Sequence, residues 1–136
     1  MNSIFPKDMI SKEASSDLSV EGIAAKLSYF HEQLHLLHWQ TTSYAEHKSL
    51  GKLYEYVQSF KDEVIEKVMG YTGKRPAAFK IDPLTNCTPE SCVNDLMMFA
   101  SKLKAYGDVN NYHDLGNLAD SLSGEAAKTK YLLTLT

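Results

Sequence analysis

The sequence lacks the marks of a disulfide scaffold, a membrane span or a nucleic-acid binder. Two cysteines in 136 residues are too few for a disulfide framework. No apolar run approaches the roughly 18 residues of a spanning helix. Residues 1–16, MNSIFPKDMISKEASS, have neither the basic start nor the continuous apolar stretch of a secretory signal. Fourteen Lys and Arg stand against seventeen Asp and Glu, a net charge of -3, which argues against DNA as a partner. There is no Gly-rich phosphate loop, no CxxC pair, no Ser/His/Asp set and no alternating run that would make a strand. A reduced, cytoplasmic protein without a membrane partner is the expectation.

What is present is helical periodicity. The length suits one domain, read as an N-terminal arm over 1–16 and a bundle over 17–136. Val20, Ile23, Ala24, Leu27, Phe30, Leu34 and Leu37 recur at steps of three and four, a helix capped by Asp17 or Ser19. Ser43 and Glu46 fit a capping box ahead of a stripe through Leu50, Leu53, Tyr54, Val57, Phe60, Val64, Ile65 and Val68. Gly70 and Gly73 are expected to fray that helix, and Pro76 to stop it. Thr88-Pro89 opens a third helix with Val93, Leu96, Met97, Ala100 and Leu103 inward and Gly107 as its end. A fourth begins near Asn111 and carries Leu115, Leu118, Ala119, Leu122, Ala126 and Leu133. Cys87 and Cys92 flank the third helix start at the spacing of a hydrophobic staple. The fold class is therefore all-α, an antiparallel four-helix bundle.

Four of the five histidines lie between positions 31 and 47. His31, His35 and His38 share one side of the first helix, and the short corner brings His47 back toward His38. At about 100° per residue, His47, Glu55, Asp62 and Glu66 fall on one face of the second helix, away from its apolar stripe. His47 and Asp62 are 15 positions apart on that helix, about 22 Å, whereas metal–ligand bonds are about 2 Å. One chain cannot close both on one metal. Two chains related by a two-fold axis can, with the imidazoles of one meeting the carboxylates of the other. Without such a partner, Asp62 and Glu66 read as a solvated face, Asp62 within reach of Gln58. His113 beside Asp114 reads as a surface pair.

The run His35-Leu36-Leu37-His38-Trp39, then His47, then Asp62-x-x-x-Glu66 and Gly73, resembles the Dps-type mini-ferritins over residues 20–75, with a weaker likeness over 108–135. That resemblance implies a ferritin-like bundle, a homodimer about a two-fold and a dodecameric cage. It implies oxidation of Fe(II) by hydrogen peroxide or oxygen, and storage of the Fe(III) product. Carried over, His38 and His47 are imidazole ligands from one subunit, Asp62 and Glu66 carboxylates from the other, and Trp39 lines the site and scavenges oxidising equivalents. Zinc is a second candidate cation for such a set. The family's remaining acidic ligand falls at Gly51, which supplies none. Glu55, one turn on, and His35 are the further candidates, while His31 and His35 read first as packing residues. Glu32-x-x-His35 matches the in-bundle di-iron motif but lacks a second copy. The missing acid and the short chain frame an alternative: a bundle that keeps the fold as a structural or assembly protein.

Overall fold

The computed structural model describes residues 18–135, and the arm expected over 1–16 lies outside them. The described residues form four helices and no strand: α1 Val20–Gln40, α2 Tyr44–Thr72, α3 Pro89–Asn110 and α4 His113–Leu132. Ser19 caps α1, its side chain accepting from the Gly22 amide at 3.0 Å. At α2 the Ser43 hydroxyl accepts from the Glu46 amide at 3.2 Å, but the return half of the box is relayed. The Ser43 amide donates to Thr41 Oγ1 at 3.1 Å, and that hydroxyl donates to the Glu46 carboxylate at 2.6 Å.

Two glycines behave differently from the sequence expectation. The helix runs through Gly70 and stops at Gly73, which takes the left-handed φ of 72° that glycine tolerates best. Gly107 does not end α3. It is buried inside the helix, where a Cβ would sit 2.9 Å from Leu115 Cβ and 3.2 Å from the Tyr112 carbonyl oxygen. Its role is close approach of α4. The stop is Asn111, left-handed at φ 60°, and α4 begins at His113.

The helices lie around the core in the order α1, α2, α4, α3, each antiparallel to its neighbours. The two short corners, 41–43 and 111–112, turn the chain back directly. Residues 73–88 instead form one long crossover that climbs along α1. The Ala77 amide donates to Glu21 near the start of α1 at 2.8 Å, and Gln40 at its end donates to Asn86 at 2.9 Å. Between them Gln33, fully buried, accepts from the Thr85 amide and donates to the Thr85 carbonyl, each at 2.9 Å. A buried amide group is tolerated because both its ends are satisfied. The crossover returns the chain to the α1–α2 corner, so α3 runs beside α1 in the opposite direction.

Every apolar position expected inward on α1 is buried. On α2, Tyr54 and Ile65 are only half-buried, at the edge of the stripe. Cys87 packs against the core beside buried Cys92, and both are free thiols. At the other end Asp114 pairs with Lys67 rather than His113, and its amide donates to the Tyr71 hydroxyl at 3.1 Å. No described helix is long and apolar enough to cross a membrane.

Candidate metal centre at the corner of α1 and α2

The three-residue corner places His38 and His47 face to face. Their rings stack with centroids 3.7 Å apart and planes 18° from parallel. Each ring binds the other residue's backbone: His38 Nδ1 lies 2.7 Å from the His47 carbonyl oxygen, and His47 Nδ1 lies 2.9 Å from that of His38. A carbonyl only accepts, so both Nδ1 atoms carry the proton. In each neutral ring the lone pair is then on Nε2. An imidazole held by Nδ1–H on a carbonyl, with Nε2 free, is the arrangement that orients a histidine for a cation.

The stacking also limits what the pair can do. A metal bonds in the plane of its imidazole at about 2 Å. Two planes so nearly parallel do not meet within that distance of either ring. As placed, the two rings are not oriented to chelate one ion.

Around this pair lies an aromatic and imidazole cluster. His35 stacks on Tyr54 at 4.3 Å and 20°, with the Trp39 ring 4.0 Å away on a 40° tilt. Trp39 is otherwise 65% exposed. The Tyr54 ring also lies 5.3 Å from His38 and 5.5 Å from His31. Tyr54 thus touches three imidazoles, a role that sequence reasoning missed by assigning it to the core stripe. Its position two turns after His47 was the available signal. Burial, followed by the charges of Lys61 and His35, lowers the His31 pKa against the opposing pull of Glu32. Its buried Nε2 has no hydrogen-bond partner among the described residues. His31 packs against Tyr54, and burial disfavours its charged form. Glu32 faces solvent, so the Glu32-x-x-His35 pair is not an in-bundle motif.

Asp62 and Glu66 are exposed on the far half of α2, and α2 is continuous between them and His47. The separation of about 22 Å therefore stands. Neither carboxylate makes an ion pair or hydrogen bond with another described side chain, so Gln58 does not hold Asp62. Glu66 borders an open groove of about 440 Å³ with Lys67, Gly70, Tyr71 and Asp114. Glu55 is exposed and eight residues from His47, about 12 Å along the axis. Within one chain it is out of reach of His47. Among the described residues no three His, Cys, Asp or Glu side chains are grouped to hold a metal ion. Within one chain the His38–His47 pair at the α1–α2 corner and the two carboxylates on the far half of α2 therefore stay apart.

Residues 38–133 match a family of unknown function, DUF5856, and the chain belongs to that family. The matched span begins at His38 and includes His47, Asp62 and Glu66. No curated protein and no solved structure matches the chain.

Proposed function

We propose that this protein is a mini-ferritin of the Dps type, which binds Fe(II) at sites shared between two subunits and oxidises it. The observation that carries the reading is the His38–His47 pair, with both Nδ1–H groups on carbonyls and carboxylates of matching chemistry at the other end of the same helix. Imidazole and carboxylate together suit Fe(II). A single long crossover between the second and third helices is also the connectivity of ferritin-like bundles.

In this reading two subunits pack their α2 helices antiparallel. Each His38–His47 pair then faces the partner subunit's carboxylates at 62 and 66. Each ring would offer its Nε2 to Fe(II), and the carboxylates would offset the cationic charge. Hydrogen peroxide takes one electron from each Fe(II) and, with two protons, leaves as two waters. Oxygen can serve as the slower oxidant. Trp39, exposed beside His35, is placed to give up an electron to stray radicals. The Fe(III) product is retained in the assembly, a cage if twelve subunits close.

Subunit mixing tests the shared site. A variant lacking both imidazoles (His38→Ala with His47→Ala) and one lacking both carboxylates (Asp62→Asn with Glu66→Gln) should each be inactive. A 1:1 mixture, dissociated and reassembled, should recover about a quarter of the wild-type rate, because half the dimers are mixed and each has one intact site. No recovery from two well-assembled variants would contradict the shared site.

One observation favours a second reading. No carboxylate can stand at position 51 without displacing His38, because a Cβ there would already crowd the ring. If the lost ligand is not made up by others, the protein is a bundle that keeps the fold for assembly. It would then bind zinc or iron without turnover, or no metal.

A further inference from the structure

The geometry points to Gly51 as a positioning residue: the space left by its missing side chain seats the His38 ring with Nδ1 on the His47 carbonyl and Nε2 without a partner among the described residues. For its consequence on cation binding this rests on the function proposed above; for the ring itself it does not. Gly51 is buried on α2, one turn after His47. A Cβ built there would lie 3.0 Å from His38 Cε1 and 3.2 Å from His38 Nδ1, both closer than ordinary van der Waals contact. One of the two atoms crowded is the same Nδ1 that makes the 2.7 Å bond to the His47 carbonyl. The ring has little room to retreat, with His47 stacked at 3.7 Å and Tyr54 at 5.3 Å.

Glycine inside a helix is a poorer choice than alanine, so position 51 calls for a local reason. Gly70 on the same helix has no atom within 4 Å of its would-be Cβ and shows no such constraint. At position 51 the reason is the ring. An acid at this position and the mutual His38–His47 arrangement are alternatives: the chain has the imidazole seat in place of a carboxylate. Gly51 therefore acts through His38, by fixing its tautomer and orientation.

The test compares Gly51→Ala with Gly70→Ala as the control. Ring nitrogen NMR on the metal-free, full-length protein reads the tautomer. Wild type and Gly70→Ala should show His38 protonated at Nδ1 alone. Gly51→Ala should lose that single state while keeping its helical content. Zn(II), a redox-inert probe, should bind the Gly51→Ala protein about 10- to 100-fold more weakly, the loss that follows when a ligand histidine loses its orienting bond. Failure of wild type to bind Zn(II) or Fe(II), with the tautomer shift still seen, would support the seat and defeat the functional reading. An unchanged His38 tautomer in folded Gly51→Ala would overturn the seat. Should Gly51→Ala fold poorly, the His38→Ala background decides. Relief of the thermal loss there supports the seat, and an equal loss in both backgrounds overturns it.

Discussion

Replacing Gln33 with alanine removes the clamp that holds the crossover to α1, and the cost can be worked from the structure. Gln33 makes two hydrogen bonds of 2.9 Å to the backbone of Thr85 from a fully buried position. Each such bond nets about 1 kcal/mol. Thr85 is exposed, so its freed groups return to water without a further penalty. The vacated methylene adds about 1 kcal/mol. The expected loss is about 3 kcal/mol, or roughly 12 °C in Tm at about 4 °C per kcal/mol for a chain of this size. Urea unfolding should show a lower midpoint at an unchanged slope. Hydrogen exchange should find the Thr85 amide protected in wild type and free in the variant. A loss below about 1 kcal/mol, or an equally protected Thr85 amide in both proteins, would refute the assignment of the clamp.

Other expectations follow from the packing and the charges. Gly107→Ala should destabilise by about 1–2 kcal/mol, since overpacking against Leu115 and the Tyr112 carbonyl outweighs the helix gain of about 1 kcal/mol. Gly70→Ala, with open space around it, should stabilise by up to about 1 kcal/mol; urea midpoints measure both. Burial pushes the Cys92 thiol up to about 12, so a thiol reagent near neutral pH should label half-buried Cys87 and reach Cys92 only on unfolding. The hydrogen bond from Lys67 holds the Asp114 carboxyl below its ordinary 3.8, and the same bond raises Lys67 above 10.5. The unfolded chain binds the acid proton first, so this pair's contribution is complete above the unfolded carboxyl range and is lost as pH falls through the folded value. It is lost again as pH rises through the folded Lys67 value. Asp114→Asn should flatten the acid side of a stability profile measured from about pH 2 to 6; an unchanged acid limb would count against the pair.

The helices and their caps were readable from the sequence because they depend on local chemistry. Ser19, Ser43 and Thr88 cap with the expected side-chain acceptors, and most of the three- and four-residue apolar steps are buried, with Tyr54, Ile65, Met97, Leu118 and Leu133 half-buried at the edge of the core. Local reasoning failed where the deciding contact was distant. Gly107 reads as a stop by itself but as a close approach once α4 is beside it. Gln33 sits in an apolar neighbourhood, and only the crossover, 52 residues on, explains it. Asp114 has a histidine as its chain neighbour, yet it answers to Lys67, 47 residues earlier.

The candidate residues were legible in the sequence, but their geometry was not. Spacing and the family resemblance put forward His38, His47, Asp62 and Glu66, and their separation requires two chains if they are to share a metal. It did not disclose that each ring binds the other's backbone, nor that Tyr54 is the common neighbour of His31, His35 and His38. The meaning of Gly51 also changed. In the sequence it is a missing ligand; in the structure it is the space that His38 needs.

The central claim is that Fe(II) is oxidised and kept by this protein. Anaerobic loading of Fe(II), followed by a pulse of hydrogen peroxide, tests it when the Fe(III) absorbance and the particle size are read on one sample. Oxidation faster than in buffer is expected, with iron remaining soluble on an oligomer, and with loss of the rate in His38→Ala and in Asp62→Asn. Oxidation no faster than buffer, with iron precipitating from a well-assembled protein, would contradict it and leave the bundle as a scaffold.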